Sequence, residues 1–219
     1  MEYNKDKIVI FDWGGIVESH KKGENNYFET IVRIIKSLNS NFNNKGEILK
    51  LWGKCLYDEN GVSISTLNNV NDFNNWYSRL KNTFKLKCDL ETFNKVYQKE
   101  FEKVYYYKDV VELEHNTKKR CKIGILSDLM FLDKERLNKQ VTLNKYDYVW
   151  LSFEIGEVKP NDKVYEIVEK DCKIEPKNIL FIDDKKENII SAKSRGWNTC
   201  NCFGYEIEKI KSAIDYFLN

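Results

Sequence analysis

The chain has 219 residues, of which 42% are hydrophobic and 14% aromatic, enough to build a sizeable core and to exclude a disordered polypeptide. Its 36 Lys and Arg nearly balance its 34 Asp and Glu, and the lysines are scattered, so no nucleic-acid partner is expected. No apolar run approaches a membrane span, and the amino-terminal MEYNKDK lacks an apolar leader core, so a cytoplasmic chain with no membrane partner is expected.

The first element is the strand in KIVIFDWGGIVES, where apolar Ile8 to Phe11 lead into Asp12 and the chain breaks at Gly14-Gly15. Helical spacing follows. Tyr27, Phe28, Ile31, Val32, Ile35 and Leu38 mark an amphipathic helix over about 25–38, and Ile48 to Leu56 mark a second over about 47–57. Ser65 is read as the N-cap of a third, carrying Leu67 to Phe84. Leu90, Phe93, Val96, Tyr97, Phe101 and Val104 mark a fourth, to about 107. No strand-like alternation interrupts this stretch, so 20–108 reads as an all-helical unit, and Tyr105-Tyr106-Tyr107 as packing at its exit.

The pattern then changes. Val110 to Lys119 suits a short helix, and CKIGILSD is a buried strand ending in Ser127-Asp128. A helix over about 134–143, a strand at Tyr146 to Ser152 and a helix at Lys163 to Lys170 follow. NILFIDD is a strand ending in Asp183-Asp184, Glu187 to Ser194 is helical, Trp197 to Phe203 reads as a last short strand, and a helix over about 206–217 closes the chain. Strands alternating with helices predict right-handed crossovers and a mostly parallel sheet covered on both faces. Ligands bind such sheets beyond the carboxyl ends of the strands. There the sequence places Asp12, Ser127-Asp128 and Asp183-Asp184.

Acids from two strand ends supply hard oxygen ligands suited to Mg²⁺ with phosphate. A strand-end serine offers a hydroxyl and nearby amides to phosphate oxygens. Lys159, in GEVKPNDKVYE, pairs with acids or with a bound anion, and one acid remains to serve as a nucleophile. Together these suit metal-assisted phosphoryl transfer. Of the six cysteines only Cys200 and Cys202 are close, a metal site would need a second ligand pair, and His20 and His115 show no ligand spacing, so reduced thiols are expected.

The four segments in order, FDWGGIV, IGILSD, GEVKPNDKVYE and ILFIDDKKENI, resemble the motifs of the haloacid dehalogenase-like hydrolase superfamily. The resemblance implies a Rossmann-like three-layer α/β core from residues 1–19 and 109–219, with a mostly parallel sheet, and an inserted four-helix cap from 20–108. It also implies roles. Asp12 would be the nucleophile and a Mg²⁺ ligand, with the Gly14 carbonyl and Asp184 as further ligands and Asp183 acting through water. Ser127 and the amide of Asp128 would hold phosphate, Lys159 would pair with Asp12 and the phosphoryl oxygens, and Asn188 would orient the acid loop. Trp13 is either a substrate-facing ring or a packing residue.

Gly14 departs from the pattern, because the superfamily usually places a second acid there to protonate the leaving group. Its loss would remove general acid–base assistance of roughly 10²–10⁴ in rate. A D-x-G-[NG]-V form resembles a branch containing sugar-1-phosphate phosphatases, and Glu18 or His20 are alternative acids. The expected activity is hydrolysis of a small phosphorylated metabolite, with a sugar phosphate as the candidate class. The other readings are a phosphomutase, a dehalogenase, or a catalytically weak module that binds a ligand or protein.

Overall fold

A computed structural model describes residues 3–19, 26–68, 70–140 and 143–219. The strands are β1 (Asn4–Phe11), β2 (Cys121–Ser127), β3 (Tyr148–Leu151), β4 (Ile179–Asp183) and β5 (Asn198–Asn201). They pair in parallel in the order β3-β2-β1-β4-β5. The carboxyl ends of β1, β2 and β4 therefore lie side by side, which brings Asp12, Ser127 and Asp183 together.

Alternation along the strands sends side chains to two separate cores. Val9, Phe11, Ile123, Ile125 and Ile182 pack on one face with Val110 of α5 (Lys108–Lys118) and with Ile210, Ile214 and Phe217 of α10 (Ile207–Leu218). Ile8, Ile10, Leu126 and Phe181 pack on the other with Val164, Tyr165 and Val168 of α8 (Asp162–Cys172) and Ile189 and Ala192 of α9 (Lys186–Ser194). Both faces of the central strands are covered, which explains their unbroken apolar runs.

Between β1 and β2 lie α1 (Tyr27–Leu38), α2 (Lys45–Cys55), α3 (Val70–Phe84) and α4 (Leu90–Phe101). Asn26, Asn44 and Asp89 cap α1, α2 and α4 through side-chain bonds to the third residue on. The helices enclose a third core in which Trp76 meets Trp52, Phe73 and Phe93 ring to ring. Met130 and Leu132, from the loop after β2, are buried in this same core, so the insert is knitted to the sheet domain. Its entry and exit also pair: Ser19 N–H donates to the Tyr105 carbonyl, and Tyr107 N–H to that of Val17 (2.9 and 3.0 Å).

The structure corrects three boundaries. Ser65 does not cap α3. Ser63 accepts from Ser65 N–H and closes a 3-10 turn over Ile64–Thr66, and α3 begins at Val70. The fourth helix ends at Phe101, because Tyr105 and Tyr107 bond to the entry segment instead. A one-turn helix, α7 (Ser152–Ile155), follows β3 and stops at Gly156, where φ is +74°; four residues are too few to show periodicity. The helix before β3 is α6 (Asp133–Gln140). Among the described residues no helix is long and apolar enough to cross a membrane.

Gly204 donates its N–H to the Gly15 carbonyl at 2.8 Å and thereby supports the loop after β1. A Cβ there would lie 2.1 Å from the Ile16 carbonyl oxygen and 2.3 Å from the Tyr107 ring. Gly204→Ala is expected to cost about 1–3 kcal/mol in urea unfolding, because the clash is partly with backbone. A change below about 0.5 kcal/mol, as at ordinary surface positions, would contradict this packing.

Candidate active site

The site is built around Lys159, which is buried beyond the end of the sheet in the loop between α7 and α8. Its ammonium donates to Asp12 Oδ1 at 2.9 Å, Asp183 Oδ2 at 2.8 Å and the Leu126 carbonyl at 3.0 Å. It thus ties together the ends of β1, β2 and β4. Its own backbone N–H donates to Asp128 Oδ1 at 3.0 Å.

Asp12 is 5% exposed. Its Oδ1 also accepts from Trp13 N–H at 2.7 Å. Burial pushes the Asp12 carboxyl up to about 7; the Lys159 charge pulls it down, and the Asp183 and Asp184 carboxylates push it up. Burial alone would lower the Lys159 pKa, but the Asp12 and Asp183 carboxylates outweigh it and raise it, so the lysine is held charged. The Asp128 carboxyl is raised, chiefly by burial, against the pull of Lys159.

Asp183 is fully buried and well bonded. Oδ2 accepts from Lys159 and from Asn188 Nδ2 (2.9 Å), and Oδ1 accepts from Lys185 N–H (2.7 Å). Asn188 therefore orients this acid, as expected. Asn201 at the end of β5 donates to the carbonyls of both Asp183 and Asp184. Asp184 lies against Gly15: a Cβ at Gly15 would come within 2.7 Å of the Asp184 carboxyl, and Gly15 has φ +82°. Only glycine meets both demands at that position. One oxygen from each of Asp12, Asp183 and Asp184 falls within 4.8 Å of the others. Three hard oxygen donors this close, with a single lysine between them, suit a small divalent cation such as Mg²⁺.

A cavity of about 370 Å³ opens over the cluster. Asp12, Ser127 and Lys159 line its floor, and Tyr27, Tyr57 and Ser63 of the insert line its roof. Gly14 and Asp128 line it too. Trp13 lines the cavity, and it is also packed, being 1% exposed with its indole N–H donating to Glu18 Oε2 at 3.1 Å. That same Glu18 oxygen accepts from Arg136 Nη1 at 2.7 Å, so two donors hold it. His20 lies outside the described residues. Arg136 and Asp133 also line the cavity and went unmarked in the sequence, where only the scarcity of arginine beside lysine sets Arg136 apart.

A family model described as haloacid dehalogenase-like hydrolase matches residues 25–202. The chain belongs to that family. The matched segment begins after Asp12 and Gly14, so the first strand end enters the site by geometry rather than by the match. A wild-type haloacid dehalogenase family enzyme from Bacteroides thetaiotaomicron, in complex with magnesium and inorganic phosphate, is similar in structure. The TM-score is 0.63 at 15% identity, covering 89% of this chain and 93% of that one. A predicted hydrolase of this family from Porphyromonas gingivalis has a TM-score of 0.65 at 17% identity, covering 92% and 93%. An L-2-haloacid dehalogenase from Xanthobacter autotrophicus has 0.60 at 17%, covering 89% and 76%. In sequence, D-ribitol-5-phosphate phosphatase from Bacteroides thetaiotaomicron is 36% identical over 58 residues, which is 26% of this chain and 28% of that enzyme. The family's fold and hydrolase character thus extend to this chain; its substrate does not follow from these likenesses.

In the metal-free protein the Asp12 carboxyl is expected to titrate near 7 by carboxyl-detected NMR. Lys159→Met should move that titration further up, because it removes the charge that pulls it down. Titration in the ordinary carboxylate range, or a downward shift in the variant, would refute this electrostatic picture.

Proposed function

We propose that the protein is a Mg²⁺-dependent phosphatase that hydrolyses a small phosphorylated metabolite, of sugar type, through an aspartyl-phosphate intermediate on Asp12. The observation that carries this reading is the buried Asp12–Lys159–Asp183 cluster at the floor of a cavity roofed by the insert. In this reading residues 20–108 act as a cap on the core formed by 1–19 and 109–219. The partial likeness to D-ribitol-5-phosphate phosphatase supports a phosphate-ester substrate over a haloacid.

Asp12 Oδ1 is anchored by Lys159 and Trp13 N–H, which leaves Oδ2 to attack phosphorus. The Oδ2–P bond forms as the bond to the leaving oxygen breaks, and that oxygen takes a proton. Water then attacks phosphorus, releasing phosphate and regenerating the carboxylate. Ser127 and the Asp128 amide hold the phosphoryl oxygens, and Lys159 offsets their charge while holding the nucleophile in place. Mg²⁺, held by Asp12, Asp184 and the Gly14 carbonyl, would add the remaining charge neutralisation. Asp183, whose two oxygens already accept three bonds, suits the water-mediated position.

Asp12→Asn keeps the shape but not the anionic nucleophile. It is expected to lose at least about 10³-fold in kcat, with its circular dichroism and melting curve still those of a folded protein. The assay is a screen of phosphorylated metabolites with and without Mg²⁺. Near-wild-type turnover by the variant would rule out the mechanism, and no turnover of any ester by the parent protein would favour a binding module.

Gly14 makes a second expectation. With no acid there and Glu18 Oε2 occupied by two donors, good leaving groups should be favoured. Log kcat/KM should fall steeply with leaving-group pKa across phosphate esters, so that sugar 1-phosphates and aryl phosphates outrun primary-alcohol esters. A flat slope would show that another residue supplies the proton.

A further inference from the structure

The chain of contacts begins inside the helical insert. Tyr97 of α4 is fully buried, and its O–H donates to Asp133 Oδ1 at 2.8 Å. Asp133, at the start of α6, accepts Arg136 Nε on that same oxygen at 2.8 Å and Met130 N–H on the other at 2.9 Å. Arg136 is 1% exposed, lies over the Phe101 ring, and sends Nη1 to Glu18 Oε2 at 2.7 Å and to the Tyr106 hydroxyl at 3.1 Å. Glu18 Oε2 receives the Trp13 indole N–H. The Glu18 main chain closes the loop on itself: its N–H donates to the Trp13 carbonyl, and its carbonyl accepts from Gly15 N–H, both at 2.9 Å. Trp13 N–H in turn holds Asp12 Oδ1.

From these contacts we infer that Arg136 is a positioning residue that couples the helical insert to the loop carrying Asp12. Parting a buried guanidinium from its carboxylates is costly, so the group and its partners tend to move together. The guanidinium contacts the insert (Phe101), its entry and exit segments (Glu18, Tyr106) and the first turn of α6 (Asp133), and Tyr97 of the insert reaches it through Asp133. A shift of α4 against the sheet domain therefore displaces Asp133 and Arg136 and, through Glu18, the backbone of residues 13–18. Gln98 reinforces the route by donating Nε2 to the Leu132 carbonyl at 2.7 Å. The consequence is that the insert does more than cover the cavity: its seating sets the aim of the nucleophile. This deepens the phosphatase reading for the same site and rests on it for its kinetic consequence, but not for the structural coupling.

Tyr97→Phe removes the first link without touching the cavity floor. It is expected to shift the Trp13 indole ¹H–¹⁵N resonance, assigned by its loss in Trp13→Phe. It should also lower kcat by about fivefold with KM changed less than about twofold, as loss of alignment does. Tyr77→Phe is the control: it deletes another buried insert hydroxyl, bonded to the Cys88 carbonyl, and should lower stability while leaving the resonance and kcat alone. Glu18→Gln combined with Tyr97→Phe should lose no more than Glu18→Gln alone, since both cut one path. An unmoved Trp13 resonance or unchanged kcat in Tyr97→Phe, the same shift in Tyr77→Phe, or losses that multiply in the double variant would each overturn the coupling. If no phosphate ester is turned over, the proposed function fails while the resonance still decides the coupling. Should Tyr97→Phe not fold, Asp133→Asn gives the same two readouts.

Discussion

The site depends on one buried lysine. Lys159 is withdrawn from water, and that is tolerable only because three acceptors surround its ammonium: a carboxylate from the end of β1, one from the end of β4, and the Leu126 carbonyl of β2. The same contact draws three strand ends toward one point and keeps two carboxylates close without leaving their repulsion unopposed. Remove the ammonium, and Asp12 and Asp183 face each other across a dry gap. The carboxylates outnumber the lysine, an imbalance that a small divalent cation would offset. The architecture around Lys159 thus leads directly to the chemistry proposed for it.

The loop after β1 carries the second constraint. It must turn sharply, bring its backbone against Asp184 and leave the cavity open above Asp12. Gly15 provides the turn and the clearance. Gly204 supports the loop from the side of β5, and the Glu18 backbone bonds close it on itself. Gly14, one residue earlier, offers no side chain to the cavity it lines. The loop's shape rests on Gly15, Glu18 and Gly204.

The helical insert is not loosely hung. Its entry and exit run side by side, Met130 and Leu132 from the loop after β2 sit in its core, and Ser152 Oγ donates to the Ser65 carbonyl at 2.7 Å. Movement of the insert is therefore resisted by apolar burial and by polar contacts together. This favours small adjustments over wide opening and gives the Arg136 network something firm to transmit.

Much was legible from residues alone. Unbroken apolar runs ending in Asp12, Ser127 and Asp183-Asp184 foretold a parallel sheet with its acids at one edge, because strands buried on both faces must be apolar throughout and must stop where polar groups begin. The helical spacing between the first two strands foretold the insert for the same kind of reason. What no pattern of spacing contained was the closing of distance between segments far apart in the chain. That Lys159 would reach Asp12 and Asp183 at once follows from the strand order β2-β1-β4, which is decided by packing. That Ser65 would turn away from α3 and bond the core, and that Glu18, Asp133, Arg136 and Tyr97 would meet, also depended on the insert finding its seat. Local periodicity is written by neighbours in sequence and can be read from them; a buried charge network is written by neighbours in space, and only the folded chain chooses those.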